Sequence, residues 1–189
     1  MLETCRPMDI EARSFEIITE LLGDRKLDPE NALVIKRAVQ TGLEALRSGC
    51  DIVTDTQMAK AGINKSILAS LGGEVHCFMS DPDVAAEAKS RGVTRAWVSM
   101  EKAAQLKKPC IFAIGNAPTA LVSLDALMAA ELLRPALLIG VPVGFVNVVE
   151  SKELIIEGGR APYIVARGRK GGSNVAAAIC NALLYQIRR

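Results

Sequence analysis

The stretch Arg167–Asn174, RGRKGGSN, packs three cations and three glycines between an apolar run, YIVA, and the start of a helical pattern. Gly171 and Gly172 allow backbone N–H groups to come close to a ligand, and the helix start at Ser173 adds partial positive charge. Arg167, Arg169 and Lys170 suit carboxylates or phosphates. The spacing fits neither G-x-G-x-x-G nor G-x-x-x-x-G-K-[ST], so dinucleotide and Walker sites are not indicated. The plain alternative is a solvated basic turn.

Other stretches carry comparable chemistry. AIGNAPTAL (113–121) ends an apolar run at Gly115, offers Asn116 as a cap or ligand, and carries Pro118 and Thr119 in a first helical turn, where free amides can meet a ligand. In IGVPVGFVNVVESKEL (139–154), Pro142 and Gly144 bracket an apolar loop, with Val143 between them, that exposes backbone and suits a flat apolar ligand face; on its structural reading Glu150 and Lys152 lie on the solvated side of the following helix. Arg13 and Ser14 sit beside an apolar helix face in ARSF (12–15), and Thr94 and Arg95 open a helix in VTRA (93–96). Arginine at a helix N-terminus opposes the macrodipole, which a ligand carboxylate would explain. His76, the one histidine, lies within an apolar run and is expected to be a core or edge residue. With a single strand histidine no Ser-His-Asp or Cys-His pair assembles, so covalent catalysis is disfavoured.

These residues must be held by a scaffold, and the chain supplies one. CDIVT (50–54), EVHCF (74–78), CIFAIG (110–115), ALLIG (136–140) and YIVA (163–166) predict five buried strands. Helices are predicted at about 9–22, 29–48, 81–91, 94–107, 117–133, 145–157 and 173–187 from caps and apolar spacing. Short apolar runs separated by helices indicate an α/β fold, doubly wound, with a mainly parallel five-stranded sheet and helices on both faces. In such folds the ligand lies beyond the carboxyl ends of the strands, and the loops there include DTQMAKAGINK (55–65) as well as those above.

The chain has 189 residues and is expected to form one domain over 1–189. Lys and Arg number 23 against 21 Asp and Glu, too balanced for nucleic-acid binding, so any anion site is local. Charges interrupt each apolar stretch, so no membrane span is expected, and the first residues lack a signal-peptide pattern. Five cysteines without a C-x-x-C pair, and one histidine, make a metal site improbable and point to reduced thiols in the cytoplasm.

Six ordered motifs resemble the precorrin-8X methylmutase (cobalt-precorrin-8 methylmutase) family: IEARSFEII, IVTDTQMAKAGI, VTRA, AIGNAPTAL, IGVPVGFVNVVESKE and RGRKGGSNVAAAICNAL, covering residues 10 to about 184. The resemblance implies a doubly wound α/β homodimer binding a tetrapyrrole, with no cofactor. It implies an isomerase of cobalamin biosynthesis that moves a methyl group on ring C of (cobalt-)precorrin-8 to give hydrogenobyrinate or cobyrinate. Such a macrocycle is fringed with carboxylates, which accounts for the cations around apolar loops. Ser14 and Arg95 look like substrate contacts, and the loops Gly115–Thr119, Val141–Phe145 and Arg167–Asn174 look like the remaining walls.

At one place the chain departs from the family. Members carry a segment similar to RvIHatgD, whose histidine is the proton donor, then some twenty residues leading to AVeaGleALraG. Here VIKRAVQTGLEALRSG (34–49) aligns with either piece and not both, so that histidine is replaced by Gln40 or deleted. A general acid supplies ~10²–10⁴-fold in rate, and glutamine cannot give a proton. His76, Lys36 and Lys170 are the substitutes available, unless enforced ring conformation alone carries the catalysis. The competing readings are a corrinoid carrier that has lost the chemistry, and, less well supported, a nucleotide-binding α/β protein.

Overall fold

The computed structural model describes residues 29–187, with side chains from Ala38 onward. Helix α1 (Pro29–Arg47) leads into β1 (Asp51–Thr54). Two short helices follow, α2 (Gln57–Gly62) and α3 (Lys65–Ser70), then β2 (Val75–His76), α4 (Pro82–Arg91) and α5 (Arg95–Ala103). The chain continues through β3 (Cys110–Ile114), α6 (Pro118–Ala129), β4 (Leu137–Gly140), α7 (Val148–Gly158), β5 (Tyr163–Val165) and α8 (Ser173–Ile187). The predicted helix at 9–22 lies outside the described residues.

All four strand pairings are parallel, in the order β2-β1-β3-β4-β5. The period of two along each strand sorts the side chains to two faces. Ile52, Ile111, Ala113, Leu137, Ile139 and Ile164 pack against α1, α2, α3 and α8. Val53, Phe112, Ile114 and Leu138 pack against α5, α6 and α7. With both faces covered, the strands carry no polar alternation, and this is why they appear as unbroken apolar runs. Each such Leu or Ile contributes about 1.5–3 kcal/mol by leaving water, and truncating the fully buried Leu138 to Ala would cost about 2–5 kcal/mol.

The loop expected over 55–65 holds helix instead. Thr56 caps α2 by accepting from the Ala59 amide at 3.1 Å, and Asn64 caps α3 by accepting from the Ile67 amide at 3.1 Å. Helices of six residues are too short to stand alone; the two caps and the packing of α2 on α8 sustain them. Cys50, Cys77, Cys110 and Cys180 are free and buried. Burial pushes the thiols of Cys50 and Cys180 up to about 12 and that of Cys110 to about 11, so they act as small apolar side chains. Among the described residues no helix is long and apolar enough to cross a membrane.

Candidate active site

The strand order reverses between β1 and β3, which opens a crevice beyond their carboxyl ends. Asp55, the first residue past β1, stands at that crevice and is 1% exposed. Its carboxylate accepts the amides of Gly115 at 2.9 Å, Asn116 at 2.8 Å and Ala117 at 2.6 Å. Burial pushes the carboxyl above its ordinary range, against the pull of the three amides. Asp55 thus takes the amides of the loop that leads into α6, up to the residue before its first turn at Pro118. Asn116 is exposed, Ala117 is the cap residue, and no side chain caps this helix.

The glycine turn is built into the same edge. The Gly172 amide donates to Val141 O at 2.8 Å and the Gly144 amide to Arg169 O at 3.4 Å, tying the turn to the loop after β4. A Cβ on Gly171 would run into the Val141 carbonyl oxygen. One on Gly115 would come 2.7 Å from Gly172 O and Ser173 Cα, so the loops after β3 and β5 touch backbone to backbone. Thr56 joins them by donating to Ser173 Oγ at 2.8 Å.

The cations of the turn have different partners. Arg167 lies 3.2 Å from Glu153 of α7, Arg169 sits over the Phe145 ring with 5.6 Å to its centroid, and Lys170 is exposed. Val143, Phe145 and Val146 are exposed large hydrophobics beside them. The turn therefore offers Arg169 and Lys170 outward next to an apolar patch, a pairing suited to a ligand with a flat apolar body and a carboxylate fringe. Lys152 is not on the solvated side of α7: it is fully buried, and its ammonium donates to Gly168 O at 2.7 Å and Lys170 O at 2.9 Å. Glu150 is exposed, as that structural reading has it.

Thr94 caps α5 by accepting from the Trp97 amide, and its hydroxyl donates to Thr119 Oγ1 at 3.2 Å. Exposed Arg95 is thereby set next to the first turn of α6, which the Gly115 loop carries to the glycine turn. His76 faces Asp51, with Nε2 to Oδ2 at 3.1 Å, and stacks on Phe78. Asp51 opens β1, at the end of the strand opposite the crevice. Gln40 is exposed on α1 and donates to Glu44 at 3.0 Å. Lys36 lies on α1 with its side chain outside the described residues, as do Arg13 and Ser14 entirely. Asp55, Thr56 and Lys152 are the residues that sequence reasoning missed; only the acid placed directly after an apolar strand gave a signal.

Residues 36–186 match the model of the CbiC family, described as precorrin-8X methylmutase. The chain belongs to the precorrin-8X methylmutase family. Cobalt-precorrin-8 methylmutase of Priestia megaterium is 42% identical over 199 residues, covering 95% of this chain and 88% of that protein. The enzyme of the same name from Salmonella typhimurium (strain LT2) is 41% identical over 208 residues, covering 97% of each. The precorrin-8X methylmutase of Thermus thermophilus has a similar solved structure, with a TM-score of 0.72 and 33% identity, covering 95% of this chain and 97% of that one. An alignment of 208 positions exceeds the 189 residues available, so this methylmutase-family chain lacks residues that the Salmonella relative carries.

Proposed function

We propose that this chain is the isomerase of cobalamin biosynthesis that moves a methyl group on ring C of (cobalt-)precorrin-8, giving hydrogenobyrinate or cobyrinate. The observation that carries the reading is the carboxyl edge itself: Arg169 and Lys170 stand beside exposed Val143 and Phe145, over loops pressed together at Gly115 and Gly172. A corrin-type ring is apolar across its faces and carboxylated at its periphery, and this edge has both complements. The methylmutase names of the relatives, at about 40% identity over nearly the whole chain, weigh against a carrier without chemistry.

The single domain over 1–189 works as a cytoplasmic homodimer without cofactor in this reading, and its free buried thiols suit a reducing compartment. Ser14, Arg13, Thr94, Arg95 and Thr119 join the substrate contacts. Of the groups able to give a proton, His76 is engaged by Asp51, whereas Lys170 is exposed in the turn, which makes Lys170 the stronger substitute for the family histidine.

Turnover with precorrin-8 tests the function. Conversion to hydrogenobyrinate is expected, and binding without conversion would restore the carrier reading. Protein mixed with hydrogenobyrinic acid and desalted should stay pink; colourless protein would overturn both readings. Arg95→Ala is expected to weaken that binding with the fold intact, and sedimentation of the complex measures the dimer.

A further inference from the structure

Lys152 is among the largest fully buried side chains, and an ammonium in that position is costly unless its donors are used. Two of them reach Gly168 O and Lys170 O, and the Gly144 amide takes Arg169 O. Three successive carbonyls of the turn are thus drawn inward to donors, leaving Arg169 and Lys170 exposed on the outside. We propose that Lys152 is a positioning residue of the methylmutase site: its buried ammonium holds the 168–172 turn in the form that receives substrate carboxylates and adds positive charge beneath it. This rests on the turn being a wall of that site.

The charge makes the role separable from plain packing. Burial brings the Lys152 amine down to about 8. A neutral amine keeps two N–H groups, enough for both carbonyls, so raising the pH through that value removes the charge before the turn is released. Affinity for a polycarboxylate then falls on the alkaline side. The charged side chains on the elements packed with Lys152 are Arg167, Arg169 and Lys170 of the turn, Glu150, Glu153 and Glu157 on α7, and Asp125 of α6, which pairs with Arg160.

The test compares wild-type protein with Lys152→Met and Lys152→Arg, using hydrogenobyrinic acid as the probe. Wild-type affinity is expected to fall several-fold between pH 7 and 9, roughly tracking the lost charge. Lys152→Met is expected to bind about tenfold more weakly at pH 7, with a flat profile. Hydrogen exchange of the Gly172 amide should quicken in that variant while amides of β3 and β4 keep their rates. Wild-type affinity and pH profile in Lys152→Met would overturn the proposal, as would an unchanged Gly172 rate. If Lys152→Met does not fold, Lys152→Arg decides: its permanent charge should abolish the alkaline fall, and a profile like that of wild type sinks the idea. Absence of corrinoid binding by wild-type protein at every pH would instead remove the methylmutase reading, with the exchange measurement still testing the turn.

Discussion

Thr56 Oγ1 donates to Ser173 Oγ at 2.8 Å, across 117 residues of sequence, and the same Thr56 oxygen accepts the Ala59 amide that starts α2. One hydroxyl therefore ties the loop after β1 to the entrance of α8. Thr56→Val removes both bonds at nearly constant volume. The expected loss is about 1–3 kcal/mol, from a cap and a side-chain hydrogen bond together. Urea unfolding measures it, and Thr56→Ser should recover most of the difference; equal stability of Thr56→Val and wild type would deny the link any weight.

Asp55 offers its oxygens to three amides in a site with almost no water contact. In Asp55→Asn an NH₂ group must face at least one of those N–H groups. Leaving buried donors unmatched costs about 1–3 kcal/mol each, so a lowered urea midpoint is expected, with corrinoid binding weakened as the Gly115 loop shifts. A variant as stable as wild type would mean that the amides find other acceptors.

Gly171→Ala is expected to move the turn, because the added methyl has only backbone to meet: the Val141 carbonyl carbon at 2.7 Å and Pro142 O at 2.9 Å. Neither can rotate away as a side-chain end would. Corrinoid affinity should fall about tenfold or more, an order-of-magnitude loss of ~1.4 kcal/mol, while far-ultraviolet circular dichroism stays the same. Unchanged affinity would take the turn out of the site.

Trp97 is the single tryptophan, and its indole N–H donates to Glu101 at 2.8 Å. The Arg91 guanidinium beside Glu101, with Nη2 2.9 Å from Oε1, holds the carboxyl below its ordinary value, aided by the indole. A carboxyl with a depressed folded value stabilises the protein above its ordinary range, and that contribution is lost as the pH falls through the lowered value. Acid titration of Trp97 emission should therefore show a transition below the ordinary value of 4.5. Glu101→Gln should lack it; a transition at or above 4.5 would contradict the pairing.

The sheet was legible because its strands are buried on both faces: CIFAI and LLIG are solid apolar runs whose length and flanking turn residues admit few alternatives. The glycine turn stood out because Arg, Lys and Gly have no apolar role to compete with their polar one. Asp55 was not legible as an anchor, since its partners belong to a loop 60 residues away that becomes a neighbour only once β1 pairs with β3. Lys152 was misjudged for a similar reason. Within ESKE a lysine fits a wet helix face, and nothing local reveals that carbonyls 16 and 18 residues downstream fold over it. Thr56 and Asn64 made short helices out of a stretch whose Gly62 and Asn64 suggested only a loop.

The backbone contact between Gly115 and the Gly172–Ser173 step has a bearing on how the specificity of this enzyme can be altered. Two segments that meet without intervening side chains share one shape, and neither can be exchanged for a homologous version unless its counterpart travels with it. Chimaeras that transplant the pair as a unit should retain a formed crevice, whereas single-segment grafts should lose it even when every transplanted residue is itself compatible with the ligand.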